Sequence, residues 1–466
     1  MRRITIYLVL GILCLLTLAG CHAGGQSHAD STADGETTLP TATDTPTVPS
    51  DTESDTSAPP AEETPSAPTV TLPFPVFTDE LPVISVNTNG VAVDSRDYVD
   101  MTMTLAGVEE GLLDVGGEIR LRGNSTMRME KKPYRIRLYQ KHSLMGLEKA
   151  KSWVLLADYL DPSTLHNYAA LSLAATSENF DFVPTPYKVN LYLNGAYEGV
   201  YTLCEQVQEQ EGRLGLTQEI TRDMTELSDY NFLICMNYNA PEKPGAEEGV
   251  TYFYLSSVER YFELEYPTRE DFPSEAQFKT FFTALEDYMR KTCVAFLQTD
   301  RTYLGKNVHM NSLMDLFIID RIMGERDHHW KSVFMYYKGA EGDPKLSFGP
   351  PWDYDFCMYT EWTAQPNEEF DLTNDFNPAE AAFFYRPLMY NSYYTRKVSS
   401  RYKSHFSEIL PEIISKVEAQ AEAMPESLQM NQDRWYGDKP DITRDNLHFF
   451  VRYLQSRKSK LDREWG

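Results

Sequence analysis

The sequence predicts an α+β fold with a β-rich N-terminal half, a helical C-terminal half and a cleft between two lobes. Three observations predict it. Between about residues 80 and 265 apolar residues alternate with polar ones, the period of a strand. From about residue 270 onward they recur at helical spacing. Inside the helical half, an acidic segment reads instead as a short β-hairpin, with Asp327 before it and Asp353 and Asp355 after it.

The first 20 residues read as an export signal. Arg2 and Arg3 supply positive charge, residues 4–18 the apolar run, and Leu18-Ala19-Gly20-Cys21 the cleavage site. Small residues before a Cys resemble a bacterial lipobox, which implies lipidation of Cys21 and anchoring at the outer, extracellular face of the cell membrane. The apolar run is short for a spanning helix. Residues 21–73 are Thr, Ser, Pro, Asp and Glu with few large apolar side chains. Such a stretch cannot bury enough surface to offset its ordering entropy, so a disordered, extended stalk is expected.

Residues 74–466 are long enough for one large domain or two. Over the whole chain, 69 acidic residues outnumber 43 Lys and Arg, a formal charge of −26. That balance excludes nucleic acid as the natural partner, because phosphate backbones need a basic face. An anionic ligand would require a local cluster of Arg and Lys. Cys204, Cys235, Cys293 and Cys357 have hydrophobic flanks and wide spacing. They show no metal-binding pattern and are expected to be buried free thiols.

The strands follow in order. Val83-Ile84-Ser85-Val86 and residues 98–105 alternate, with Asn89-Gly90 as a turn. Tyr134, Ile136 and Leu138 share one face of the next strand, and Arg135 and Arg137 the other. With Arg120, Arg122 and Lys132 they make the main local basic patch of an acidic chain, suited to a triphosphate. A helix opens at Asp161-Pro162-Ser163 and runs to about Ala175. Residues 187–193 and 199–203 are strands joined through Asn194-Gly195, a strong hairpin signal. Residues 232–236 and 251–255 are further strands. Helices are expected from Ser274 to Gln298, from Asn311 to Glu325, over 402–423 and over 443–460.

The hairpin carries the chemistry. Residues 332–337 and 345–348 read as its strands, with Gly339, Gly342, Asp343 and Pro344 in the turn. Asp353 and Asp355 are two apart, so an extended segment would project both to one face. Two carboxylates sharing a face repel unless a cation separates them, and Mg²⁺ is the common solution. The order acid, loop, polar residue, hairpin, acid is also the layout of a protein kinase's proton acceptor and metal ligands. Adjacent His328 and His329 point apart and lack a third ligand at suitable spacing, so packing roles are expected. Tyr359, Trp362 and Tyr385 are candidates for lining the cleft.

Several motifs together resemble the spore coat protein H (CotH) kinase family. They are Arg120-Leu121-Arg122-Gly123-Asn124-Ser125, Lys131-Lys132-Pro133-Tyr134-Arg135-Ile136-Arg137-Leu138 and Trp153-Val154-Leu155-Leu156-Ala157. The segment from Asp161 to Asn167, Leu193-Asn194-Gly195-Ala196-Tyr197-Glu198-Gly199-Val200-Tyr201, and Pro351-Trp352-Asp353-Tyr354-Asp355 complete the set, in family order. The resemblance implies an atypical protein-kinase-like two-lobed fold and ATP with Mg²⁺ or Mn²⁺. It also implies phosphoryl transfer to Ser or Thr of extracellular or spore-coat proteins. Asp327 then looks like the proton acceptor, and Asp353 or Asp355 like the metal aspartate. Arg122, Lys132, Arg135 and Arg137 would bind the nucleotide phosphates, with Glu205 near the ribose.

The chain departs from the family pattern at three places. Ser332 stands where a metal-binding Asn is frequent, His166 where Arg is frequent, and Arg137 where a strand often ends in Lys. Ser332 favours a rival reading, a non-catalytic surface scaffold that binds nucleotide without turnover. A carbohydrate-active hydrolase is a third reading. It needs acids on either side of a sugar bond, however, and Asp353 and Asp355 are close neighbours.

Overall fold

Residues 81–358, 382–437, 439 and 441–466 are described in the computed structural model of the chain. The expected signal, Cys21, the stalk, Tyr359 and Trp362 lie outside them. Seven strands come first: β1 (Val83–Asn87), β2 (Val99–Ala106), β3 (Leu112–Leu121), β4 (Tyr134–His142), β5 (Ala150–Leu156), β6 (Tyr187–Leu193) and β7 (Ala196–Glu205). They close into a barrel of order β1-β2-β3-β4-β5-β7-β6, sealed by parallel pairing of β1 with β6. Alternation puts Met101 and Met103, Ile119 and Leu121, Ile136 and Leu138, Trp153 and Leu155 into its core. The Asn194–Gly195 loop has positive φ at both residues, the geometry a two-residue hairpin favours.

A second sheet holds β8 (Asn231–Met236), β9 (Tyr252–Leu255), β10 (Arg260–Tyr266), β11 (Val333–Lys338) and β12 (Asp343–Phe348), in the order β12-β11-β8-β10-β9. Its central strand β8 is buried throughout. One face, through Leu233, Cys235 and Phe334, packs on Val154, Leu156 and Cys204 of the barrel wall. Phe232, Ile234 and Met236 face the main core, built mostly by helices. Those helices are α1 (His166–Ala174), α2 (Glu275–Gln298), α3 (Arg301–Asn307), α4 (Met310–Met323), α5 (Arg386–Tyr390), α6 (Ser392–Arg401), α7 (Ser407–Glu422), α8 (Pro425–Tyr436) and α9 (Ile442–Trp465). Ser274 caps α2 by accepting from the Gln277 amide, as its sequence predicts. Cys204, Cys235, Cys293 and Cys357 are buried free thiols. No helix among the described residues is long and apolar enough to cross a membrane.

The expected β-rich first half and helical second half are present, but the atypical protein-kinase-like two-lobed fold is not. The first seven strands form a closed barrel rather than an open lobe sheet. The next sheet takes β8, β9 and β10 from the first half and β11 and β12 from the second, so no division falls between halves. Period-two alternation reports that one face of a strand is buried. It does not report which partners seal the sheet, because β1–β6 pairing joins residues about a hundred apart.

Candidate functional site

The hairpin's flanks form an acidic floor. Helix α4 ends at Gly324, in the left-handed conformation that glycine tolerates best. The chain then turns so that the Asp327 carbonyl accepts from the Trp330 and Lys331 amides, both at 3.0 Å. Lys331 Nζ lies 2.7 Å from Asp327 Oδ2 and 3.8 Å from Asp353 Oδ2. Ser332 Oγ donates to Asp353 Oδ2 at 2.7 Å. Ser332 and Asp353 both have positive φ, 62° and 71°, a conformation ordinary side chains adopt at some cost. Asp353 is therefore not extended, and alternation is not the reason the two aspartates share a cavity.

Burial alone would raise the Asp353 carboxyl, but Lys331, the Ser332 hydroxyl and Arg122 outweigh it and hold it below the usual range. Asp355 differs. Burial, then the Asp353 carboxylate, pushes it well above the usual carboxylate value. A cation beside the two carboxyls would favour the charged form of Asp355 and oppose that shift.

Beneath the floor, a buried set of polar groups fixes the loop. His328 Nδ1 meets Asp320 Oδ2 at 2.9 Å and its Nε2 meets the Trp352 carbonyl at 2.8 Å. Both partners can only accept, so both ring nitrogens donate and the ring is an imidazolium. Burial opposes that charge, yet Asp320 and Glu325 push its pKa up to about 10. Asp320 also accepts from the hydroxyls of Tyr354 and Tyr385. From the other side, Asn167 Oδ1 accepts from the Tyr354 amide at 2.9 Å. Glu325, which accepts from the Asp327 amide at 2.5 Å, is pushed up to about 8 by burial against the pull of His328.

The barrel contributes a basic wall. Arg120 and Arg135 are direct cross-strand partners of β3 and β4, and Arg122 follows Arg120 by two positions. Like charges placed opposite each other are unfavourable without an anion. The Nε atoms of Arg120 and Arg135 are buried with no hydrogen-bond partner among the described residues. The Arg122 guanidinium stacks 5.3 Å over Trp352, tying this wall to the acidic floor. Arg96 Nη2 donates to the Gly123 carbonyl at 2.7 Å and to Asn124 Oδ1 at 3.0 Å, bracing the loop beside it. A third side carries Glu263, Glu265 and Lys243, with Lys243 Nζ 2.5 Å from Glu263.

The acidic floor, the basic wall and this third side line one cavity of about 440 Å³, while the buried set around His328 lies outside its lining. Of the residues singled out from sequence, it gathers Asp327, Ser332, Asp353, Asp355, Arg120, Arg122 and Arg135. It does not gather Lys132, Arg137 or Glu205. Lys132 Nζ donates to the Met127 carbonyl at 2.9 Å. Arg137, half exposed, pairs with Glu118 and covers the Tyr98 ring. Glu205 is buried, accepting from the Thr185 amide at 2.7 Å with Arg213 at 3.9 Å. Tyr385 is a core residue bonded to Asp320 rather than a cleft wall. Sequence reasoning missed Lys331, Glu325, Arg96 and the Glu263–Lys243 side. Only the spacing of Lys331 four residues after Asp327 could have pointed to one of them.

The donor set fits a hard divalent cation. Among the described residues no three His, Cys, Asp or Glu side chains gather as a closed cage. Mg²⁺ characteristically takes one or two carboxylates and completes its shell with phosphates and water. Asp353 and Asp355, facing an arginine wall, offer that half-set. A model of the family described as CotH kinase protein matches residues 119–461, well over half of the chain. No curated protein matches.

Proposed function

The chain belongs to the CotH kinase family, and on that premise we propose that it is a phosphotransferase. It would move the γ-phosphate of ATP to a Ser or Thr hydroxyl of extracellular or coat proteins. The cavity supports this reading most: it sets Arg120, Arg122 and Arg135 against Asp327, Asp353 and Asp355. The guanidinia would take the donor phosphates, Arg122 held by its stacking on Trp352. Asp353 and Asp355 would hold Mg²⁺ or Mn²⁺, which supplies charge neutralisation at the phosphates. Asp327 would accept the proton as the acceptor oxygen bonds to phosphorus and ADP leaves. Lys331, now on Asp327, must shift toward the phosphates or Asp353 to free that carboxylate. Cys21 and the acidic stalk would tether this activity to the outer face of the membrane.

The test is phosphate transfer by the full chain from labelled ATP with Mg²⁺ or Mn²⁺ to a generic protein acceptor. The parent should transfer, and Asp327→Ala and Asp353→Ala should not. The Lys331–Asp327 pair and Ser332 favour a second reading, a nucleotide-binding scaffold without turnover. Metal-dependent ATP binding with no transfer in the parent would establish it instead.

A further inference from the structure

Behind the cavity lies a chain of polar contacts that touches no part of the reaction as described above. Lys188 on β6 places Nζ 3.1 Å from Asp158 Oδ2, 2.6 Å from the Thr164 carbonyl and 2.9 Å from Thr202 Oγ1. Thr202 on β7 donates to the same Asp158 oxygen at 2.6 Å. The other oxygen, Asp158 Oδ1, accepts from Asn167 Nδ2 at 2.8 Å. All four residues are buried. The orientation of the Asn167 amide is fixed chemically, since only its NH₂ can serve the carboxylate and only its oxygen the Tyr354 amide. Asp158 itself has φ 48°, a conformation kept only where surroundings enforce it.

Tyr354 is the residue between Asp353 and Asp355. Its amide is held by Asn167, its hydroxyl by Asp320, and the carbonyl before Asp353 by His328. Two of those three anchors come from the helical side of the loop. The third, Asn167, sits on α1 but is bound to Asp158 and through it to Lys188 and Thr202 of the barrel, the body that also carries the arginine wall. A contact of this kind sets the distance between the two halves of the cavity.

We propose that Asn167, locked by Asp158, Lys188 and Thr202, is the positioning residue that holds the Asp353–Asp355 loop in register with the barrel for divalent metal binding. The inference rests on the functional reading above. Residues behind metal ligands typically tune affinity by about 10- to 100-fold. Asn167→Ala removes the acceptor of the Tyr354 amide, and Thr202→Val removes one donor from Asp158 without touching the loop.

Mn²⁺ binding to the full chain with a non-hydrolysable ATP analogue, followed by electron paramagnetic resonance, tests this. Amide hydrogen exchange at Tyr354 gives a readout independent of metal. Asn167→Ala should weaken Mn²⁺ about 10- to 100-fold and speed exchange at Tyr354. Thr202→Val should do both more weakly. Asn190→Ala is the control: it removes the 2.8 Å bond from Asn190 to Ser427, a barrel–helix contact outside the cavity, and should change neither. Unchanged Mn²⁺ affinity in Asn167→Ala, or an equal loss in Asn190→Ala, would overturn the inference and leave the phosphotransferase reading standing. A parent chain that binds no Mn²⁺ with the nucleotide would overturn both.

Discussion

On the barrel side of the cavity, Arg120 and Arg135 face each other across β3 and β4, with buried Nε atoms that no hydrogen bond from the described residues reaches. On the opposite side, Asp353 receives Ser332 Oγ at 2.7 Å and Lys331 at 3.8 Å, and the loop around it is anchored through Trp352 and Tyr354. The basic wall is left short of partners and the acidic floor is largely provided with them. On the proposed function a phosphate ligand would complete the wall's electrostatics, whereas most of the floor is set by its own side chains. Asp355 is the exception on the floor, raised well above the usual carboxylate value by burial and by Asp353.

The largest effect should come from the floor. Asp327→Asn keeps the shape but removes the proton acceptor, which ordinarily supplies about 10²- to 10⁴-fold. The expected outcome is that loss in kcat with nucleotide affinity kept, measured by steady-state transfer and calorimetry. A loss confined to KM would mean that Asp327 positions rather than accepts.

The wall should respond in the opposite way. Arg135→Gln removes one charge-assisted contact to a bound phosphate, about 1.5–3 kcal/mol and hence about 10- to 100-fold in ATP affinity. Because it also relieves the Arg120–Arg135 repulsion, folding stability should hold or rise by less than about 1 kcal/mol. A substitution that weakens ligand and strengthens fold is the signature of a site built for an absent anion. Equal losses in both would make the wall structural.

A third comparison lies in pH. His328 titrates near 10 in the folded chain against 6.5 for an ordinary histidine, so the folded state binds more protons between those values. Its contribution is complete below about pH 6.5 and is lost as pH rises through about 10. Glu325, raised from 4.5 to about 8, acts with the same sign, its contribution complete below pH 4.5 and lost through pH 8. Denaturation curves for the parent and His328→Gln should differ by a few kcal/mol near pH 6 and converge toward pH 10. Parallel curves would mean that His328 is neutral in the fold.

These contrasts mark what the sequence could report. Strand alternation exposed the barrel's inner face, and Asn194-Gly195 located its tightest hairpin, because both are local rules. Of the residues the sequence singled out, Arg120, Arg122, Arg135, Asp327, Ser332, Asp353 and Asp355 line one cavity. Lys132, Arg137 and Glu205 were misplaced because strand position alone does not say which residue is turned away by a nearer partner. Arg137 is taken by Glu118, its direct cross-strand neighbour, and Glu205 by the Thr185 amide. Barrel closure and the Lys188–Asp158–Asn167 chain depend on contacts between distant segments, which no local pattern encodes. Asp353 and Asp355 were paired correctly but for the wrong reason, since Asp353 sits at positive φ.

The smallest effect separates the floor's two jobs, being preset and binding metal. Ser332 has φ 62°, a conformation Asn tolerates better than most residues, so Ser332→Asn should fold without loss. In the parent, the hydroxyl is committed to Asp353 Oδ2. An Asn side chain could keep that bond through its NH₂ and turn its carbonyl oxygen to the cation, a better ligand than a hydroxyl. Mn²⁺ should bind more tightly by less than tenfold, under about 1.4 kcal/mol, with thermal stability unchanged. Weaker binding would mean that the Ser332 hydroxyl matters chiefly as the donor that lowers Asp353. The floor would then owe its metal affinity to that carboxylate's charge rather than to the number of ligands around it.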